Sequence, residues 1–249
     1  MIRNDNVFKK PITAISGADI AEWRDRRLRK VSPSTVNRQL CLLSAIFSFA
    51  MRECRMGLTA NPCTIVTKPR KPRPRTQRIS QDERERVIAE LGWDGQSEPQ
   101  TTQQWVAFTF YFALETAMRR GEILSLSWAD IFFEERYAHL AKTKNGEERD
   151  VPLSRAAIAL LNIIKEKPRC QPIVPVQPGY FSALFQKAKR AVGLNHIRFH
   201  DSRLEAATTM APKLSNVLEL AAITGHKSLQ MLQIYYKPKA SELAARLDM

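Results

Sequence analysis

The segment over residues 67–78, TKPRKPRPRTQR, divides the chain into two parts. Its three prolines, Pro69, Pro72 and Pro74, exclude a helix and favour an extended path, because proline lacks an amide hydrogen and has a fixed φ. We therefore predict a helical domain over residues 1–67, a linker over 68–78 and a second domain over 79–249. A chain of 249 residues is long enough for each domain to bury its own core.

Most of the net charge of +14 lies in the N-terminal third, which includes this linker. Residues 1–78 contain 17 Lys and Arg against 5 Asp and Glu, whereas residues 79–249 contain 22 against 20. The linker carries basic side chains and no acidic one. This asymmetry predicts a polyanionic partner that binds mainly to the N-terminal part. Charge alone leaves DNA, RNA and an anionic membrane open, as well as a merely well-solvated basic surface.

Several classes of protein are disfavoured by what the sequence lacks. No apolar run reaches the ~18 residues that span a bilayer, and the polar first ten residues do not resemble a signal peptide. The four cysteines form no C-x-x-C pair, which argues against a zinc ribbon or a disulfide framework and fits a reducing cytosol. No nucleotide-binding signature is present. We therefore expect a cytoplasmic protein with no membrane partner, no metal site and no cofactor.

Helical signals dominate the chain. Ser32-Pro33 and Ser80 with Glu83 are typical N-terminal caps, and Asn145-Gly146 predicts a hairpin turn between two strands. The predicted strands cover residues 136–143 and 148–153. Helices are predicted over 17–29, 33–54, 81–91, 105–117, 121–128, 155–166, 180–192 (with a basic face of Lys187, Lys189 and Arg190), 201–210 and 216–224, followed by stretches over 228–236 and 241–247. The predicted fold class is mainly α with a small β-sheet, an α+β catalytic domain.

Four short motifs follow one another in the second domain. They are TAMRRGEILSLSWAD over residues 116–130, KNGEERDVP over 144–152, HDSR over 200–203, and GH at 225–226 followed by two tyrosines. Each motif alone is common, but the ordered set is specific. In order and spacing it resembles the catalytic domain of tyrosine recombinases, the phage-type integrase family, over about residues 12–249. The resemblance implies a two-domain DNA clamp with a helical core-binding domain before the linker.

The resemblance implies an enzyme that breaks and rejoins DNA at specific sites without metal or ATP. The reaction would pass through a 3′-phosphotyrosine intermediate, as in DNA integration, inversion or resolution. Arg119 and Arg203 would bind the non-bridging oxygens of the scissile phosphate, because a planar guanidinium matches phosphate in shape and charge. Lys144 would protonate the 5′ leaving oxygen.

The same resemblance assigns the remaining candidate residues. His200 would assist proton transfer at the nucleophile, His226 would donate a hydrogen bond to the phosphate, and Tyr235 would attack. Glu122 would make an orienting contact near Arg119. The pairs 119/122 and 200/203 have i,i+3 spacing, which predicts that each pair lies on one helical face.

His226 and the nucleophile cannot share one straight helix. Nine residues rotate half a turn and rise ~13 Å, so we predict a break near residues 226–228, or a tyrosine segment that docks only in the synaptic complex. Helix geometry does not choose between Tyr235 and Tyr236, and the family spacing selects Tyr235. The chain departs from the family pattern at Ala117, where glycine is usual, and at the two neighbours of Arg203.

The resemblance implies that the polyanion is double-stranded DNA. The predicted DNA-binding residues are basic positions in the linker and one in the N-terminal domain: Arg38, Lys68, Arg70, Lys71, Arg73, Arg75 and Arg78. The family's core-binding domain usually has four helices, and we expect the first of them to be missing here, either because the chain is trimmed or because it is a shortened member of the family. An apolar stripe near the C-terminus, at Ala240, Leu243, Ala244 and Leu247, predicts docking on a neighbouring protomer or on its own domain.

Docking on a neighbour would give a homotetramer on two DNA sites. Accessory DNA-bending proteins and a location at the nucleoid are further expectations from the resemblance. Two alternatives stay open: a type IB topoisomerase, which uses the same chemistry alone, and a DNA-binding protein without catalysis.

Overall fold

The computed structural model describes residues 5–72, 75–141, 146, 148–164, 168, 170–232, 235, 240–241 and 244. Its chain separates into two compact units, Met1–Arg75 and Thr76–Met249. The described residues between 67 and 78 contain no helix or strand. The boundary between the units therefore falls inside the proline-rich basic segment.

Two α-helices form most of the N-terminal unit: α1 (Gly17–Leu28) and α2 (Pro33–Arg52). Each begins directly after a serine, Ser16 or Ser32, whose side-chain oxygen accepts a hydrogen bond from an amide of the first turn. The apolar sides of both helices enclose Trp23, which is fully buried. Both helices confirm the predictions over 17–29 and 33–54, the second of which was predicted from its Ser32-Pro33 cap.

The described part of the C-terminal unit is mainly helical. Its helices are α3 (Gln81–Glu90), α4 (Thr102–Thr116), α5 (Arg120–Ser125), α6 (Arg155–Ile163), α7 (Pro178–Ala191), α8 (Asp201–Met210), α9 (Val217–Thr224) and α10 (Leu229–Leu232). Three short antiparallel strands form a sheet in chain order: β1 (Ile131–Phe132), β2 (Tyr137–Leu140) and β3 (Arg149–Pro152). The fold class predicted from the sequence, mainly α with a small sheet, is confirmed.

Helix α4 organises the C-terminal unit because it is apolar on nearly every side. Its residues from Trp105 to Leu114 are buried except for Tyr111. A helix that is hydrophobic all round requires neighbours on all sides, and α4 packs against α5, α6, α7 and α8. Helix α4 thereby holds α5 and α8, the two helices that carry the arginine motifs.

Three details differ from the prediction. The helix predicted over 121–128 ends at Ser125, and a short 3-10 turn follows because the Ser127 amide and hydroxyl both donate to the Asp130 carboxylate. Strand β1 is additional to the predicted hairpin. Lys189 does not lie on an exposed basic face: it is buried, and its Nζ donates to the carbonyl oxygens of Asn195 and Ile197.

Some predicted features lie outside the described residues. They are Lys144, the hairpin residue Asn145, the linker residue Arg73, and Tyr236, Leu243 and Leu247. Ala240 and Ala244 are helical and exposed. None of the helices in the described ranges combines the length and the apolar character that crossing a bilayer requires.

Candidate active site

Arg203 joins the segments that carry the other candidate residues. Its guanidinium donates to the carbonyl oxygen of Ala117, between α4 and α5, and to that of Thr224, the last residue of α9. The residue is 2% exposed. Burial, and then repulsion from Arg119, lower the pKa of Arg203 to about 10, so the side chain remains charged at neutral pH.

Arg119 lies at the N-terminus of α5, with its backbone extended. Its amide donates to Oε2 of Glu122 and its Nη1 donates to Oε1, both at 2.8 Å. His200 has the corresponding place before α8: it is exposed, and its carbonyl oxygen accepts from the Arg203 amide at 3.2 Å. In both predicted i,i+3 pairs the first residue is therefore the N-cap, so each pair spans the start of its helix, and the side chains of Arg119 and Glu122 are in contact.

The backbone conformation of Ala117, between α4 and α5, explains why the family usually has glycine at this position. Ala117 ends α4 with φ 54° and ψ 17°, the left-handed conformation that costs a residue with a Cβ roughly 1–2 kcal/mol. Ala117 is fully buried, and its carbonyl oxygen accepts from Arg203. The departure from glycine therefore leaves the turn in place, with its carbonyl aimed at the second arginine.

Glu122 is a buried carboxylate shared by two arginines. Besides Arg119 it accepts from Arg149, whose Nη1 lies 3.0 Å from Oε1 and whose Nη2 lies 2.8 Å from Oε2. Burial alone would raise the pKa of Glu122, but the hydrogen bonds from Arg149 and Arg119 outweigh it and lower the pKa to about 2. Glu122 is therefore ionised at physiological pH.

Sequence reasoning missed Arg149, although the sequence contains a signal for it. In β3, Arg149 shares a face with the fully buried Val151, because alternate residues of a strand point the same way. A basic side chain on the buried face of a strand requires a buried acidic or carbonyl partner. The motif glutamate, Glu122, is that partner.

His226 follows a left-handed residue, Gly225, with φ +65°. Its Nδ1 lies 2.7 Å from the hydroxyl oxygen of Thr224, and that hydroxyl donates its own hydrogen to the carbonyl oxygen of Leu220. Nδ1 therefore carries the hydrogen, and Nε2 of the neutral ring is an acceptor. Burial, and then the charges of Arg203 and Arg119, lower the pKa of His226 to about 4.

Tyr235 comes next to His226 because the helix breaks between them. Helix α9 ends at Thr224 and α10 begins at Leu229, which confirms the predicted break. The centroids of the His226 and Tyr235 rings are 5.9 Å apart. Burial raises the pKa of the half-buried Tyr235, and the charge of Arg203 opposes that rise. Five of the six predicted catalytic residues thus lie close enough to affect one another's pKa values or to bring their rings together: Arg119, His200, Arg203, His226 and Tyr235.

The candidate DNA-binding residues that the structure describes are exposed: Arg38, Lys68, Arg70, Lys71, Arg75 and Arg78. Arg78 is paired with an acid from outside the linker. Its Nε and Nη2 donate to the buried carboxylate of Glu205 at 2.6 and 2.8 Å, and Glu205 also accepts from the Ile79 amide. The last linker residue, Arg78, therefore contacts helix α8 at Glu205, which lies two residues after Arg203.

Comparison with known proteins shows the family. The model of the phage integrase family matches residues 77–242. A putative integrase/recombinase of Haemophilus influenzae is 36% identical over 97% of this chain and 79% of its own length. A shufflon-specific DNA recombinase of Escherichia coli is 35% identical over the whole of this chain and 64% of its own length.

Solved structures show the same fold. The Tn1549 transposon integrase, in complex with transposon right end DNA, has a TM-score of 0.72 at 17% identity and covers 99% of this chain and 89% of that one. A lambda integrase dimer bound to a COC′ core site has a TM-score of 0.70 at 21% identity, with coverages of 91% and 66%. Taken with the family model and the sequence relatives, they lead to one conclusion: the chain belongs to the phage integrase family of tyrosine recombinases, enzymes that cleave and rejoin DNA.

Proposed function

We propose that this recombinase cleaves DNA at specific sites with Tyr235 as its nucleophile and Arg119 and Arg203 as its phosphate-binding cations. One observation carries the proposal. Arg203 is hydrogen-bonded to both segments that hold Arg119 and His226, and the His226 ring lies beside Tyr235. Residues more than 100 positions apart in the chain therefore supply a cluster of cations and a phenol beside it.

The two arginines suit a phosphodiester because its transition state gathers negative charge on the non-bridging oxygens. A guanidinium has five N–H donors, so Arg203 retains donors for a phosphate beyond the two that bind carbonyl oxygens. Arg119 gives one guanidinium nitrogen to Glu122, which orients the remaining donors. No metal needs to enter this scheme, since fixed cations stabilise the developing charge.

The proposed reaction balances without ATP. The Tyr235 oxygen bonds to phosphorus, its proton goes to His200, and the bond from phosphorus to the 5′ oxygen breaks. Lys144 gives its proton to that 5′ oxygen. The resulting 3′-phosphotyrosine retains the energy of the phosphodiester, so a 5′ hydroxyl can reverse the step on the same or another strand.

His226 would donate to the phosphate only as a protonated ring, since Nε2 of its neutral tautomer is an acceptor. A bound phosphate lies against the same cations that depress the pKa of His226, and its negative charge would raise that pKa again. We therefore propose that His226 takes up a proton as DNA binds.

The test is a search for a covalent adduct between wild-type protein and a pool of nicked duplexes with randomised central base pairs. A nick beside the cleaved bond lets the short fragment leave, which traps the intermediate. The expected result is a detergent-stable adduct with the DNA 3′ end on the peptide that contains Tyr235. Duplexes that the protein binds but never links to itself would contradict the proposal.

Replacing Lys144 with alanine is expected to slow adduct formation about 10²- to 10⁴-fold, the range for a lost general acid. Sulfur in place of the 5′ leaving oxygen is expected to restore the rate, because a thiolate leaves without a proton. Lys142→Ala, two positions earlier in the sequence, is the control and should behave as wild type on both substrates. A Lys144→Ala protein that stays slow on the sulfur substrate would exclude the general-acid role.

For the linker, we propose contacts between its basic side chains and DNA phosphates. Replacing Lys68, Arg70 and Lys71 together with alanine should lower the slope of log affinity against log salt by about 3, or about 0.9 per lost contact. Arg78→Ala is the control, since its guanidinium already binds Glu205, and should change the slope less. A salt titration of binding to a random duplex measures both, and an unchanged slope in the triple variant would refute the contacts.

Double-stranded DNA is the proposed partner, bound by four copies of the chain on two sites. A lambda integrase tetramer bound to a Holliday junction, with a TM-score of 0.65, supports this assembly. Accessory DNA-bending proteins and a cytoplasmic location at the nucleoid follow from the same proposal. The names of the sequence relatives favour recombination over a solitary topoisomerase or a non-catalytic DNA-binding protein. Two labelled duplexes that join in one complex would distinguish recombination from topoisomerase action.

A further inference from the structure

We propose that Arg149 is a positioning residue that keeps the Arg119 guanidinium available to the scissile phosphate. It would do so by occupying the acceptor positions of Glu122 that Arg119 would otherwise take. The inference rests on the proposed role of Arg119 in phosphate binding.

The hydrogen bonds of Glu122 are divided evenly between the two arginines. Oε1 accepts from Nη1 of Arg119 at 2.8 Å and from Nη1 of Arg149 at 3.0 Å. Oε2 accepts from the Arg119 amide and from Nη2 of Arg149, each at 2.8 Å. A carboxylate has about four lone-pair positions, so all of them are used. Arg119 therefore gives Glu122 only one nitrogen of its guanidinium.

Without Arg149, half of these positions would be vacant on a carboxylate that is 5% exposed. An unsatisfied buried carboxylate is costly, and Arg119 is the neighbouring cation that can relieve it. Two parallel N–H donors of one guanidinium match a carboxylate well. Arg119 would then direct two N–H groups of its guanidinium at Glu122, so fewer of its donors would be available to the phosphate.

A contact other than Glu122 also fixes the position of the Arg149 side chain. Its Nε donates to the carbonyl oxygen of Ile223 at 3.2 Å, near the end of α9. A Cβ built on Gly225 would lie 3.1 Å from Cδ of Arg149, so the glycine allows this close approach. One side chain thus links the segment of Arg119, the segment of His226 and strand β3.

The test measures adduct formation by Arg149→Met, by Arg149→Met with Glu122→Gln, and by wild type, on duplexes recovered from the randomised pool. Arg149→Met is expected to form adducts about 100-fold more slowly, the loss typical of one withdrawn transition-state donor, with DNA affinity within about threefold of wild type. The second substitution should restore the rate about tenfold, because a neutral amide no longer captures Arg119.

A merely structural role predicts no such rescue, since the double variant removes more native contacts than the single one. A wild-type rate in Arg149→Met, or a slow rate that Glu122→Gln does not raise, would overturn the proposal. If Arg149→Met is unfolded by circular dichroism, Arg149→Lys replaces it, because lysine retains the charge but lacks the fork. Its rate should fall about tenfold and also rise with Glu122→Gln.

The wild-type reaction keeps the two proposals distinguishable. An adduct on Tyr235 from wild type, with no effect of Arg149→Met, contradicts the role of Arg149 alone. No adduct from wild type on any bound duplex contradicts the proposed nucleophile, and the role of Arg149 is then rejected with it.

Discussion

Tyr235→Phe is expected to abolish the covalent protein–DNA adduct completely while DNA affinity stays within about threefold of the wild-type value. Phenylalanine lacks the oxygen that would bond to phosphorus, so no slower version of the same step exists. The ring itself should remain in place, because Tyr235 packs against the cluster of Ala207, Ala211, Leu220 and Leu232. The free energy of unfolding should therefore change by less than about 1 kcal/mol.

Two measurements make this expectation specific. Adduct yield is read on a denaturing gel, and affinity is read by a mobility shift on the same duplex. Tyr236→Phe is the matched control, since it removes a phenol from the adjacent position, and it should form adducts at the wild-type yield. Adducts from Tyr235→Phe, together with none from Tyr236→Phe, would move the nucleophile to the neighbouring tyrosine.

Helix starts were predictable because their causes are local. Ser32 before Pro33, and Ser80 three positions before Glu83, bind amides of their own first turns, and α2 and α3 begin there. The break after α9 was predictable for a different reason. Any model that brings His226 and Tyr235 together must interrupt the helix, and Gly225 supplies the left-handed residue that ends it.

The partners of the buried charges could not be predicted in the same way. Arg78 and Glu205 are 127 positions apart, and no local pattern connects them. Lys189 was assigned to a basic surface because periodicity does not reveal that carbonyl oxygens of the following loop would accept from it. The spacing of the motifs likewise gives no partner for Arg149, although its place on the buried face of β3 requires an anion.

These pairs matter for function because they set the orientation of the residues that the motifs name. Glu122 and Glu205 are both buried carboxylates, and each receives an arginine from a distant part of the chain. Glu122 of the first pair contacts Arg119, and Glu205 of the second pair lies in the same helix as Arg203. The sequence motifs thus identify the catalytic residues. Long-range ion pairs, which only the fold reveals, set the orientation of their side chains.

Arg203→Met is expected to lower the free energy of unfolding by about 3 kcal/mol and adduct formation by about 10³-fold. Two buried carbonyl oxygens, on Ala117 and Thr224, would lose their donor, at roughly 1–3 kcal/mol each. Burial of the Arg203 charge is unfavourable and lowers its pKa. Methionine has no charge to bury, and this offsets part of the cost. The rate falls because a cation aimed at the phosphate is lost.

Arg203→Lys separates these two effects. Lysine retains the charge and one donating group, so the loss of stability should shrink to about 1 kcal/mol, while adduct formation should still fall about 100-fold because the planar fork is gone. Arg198→Met, at an exposed position before the same helix, is the control and should change stability by less than about 0.5 kcal/mol. Urea denaturation and adduct kinetics measure the two quantities. An Arg203→Lys protein that cleaves at the wild-type rate would mean that charge alone, without the two-pronged geometry, serves the phosphate at this position.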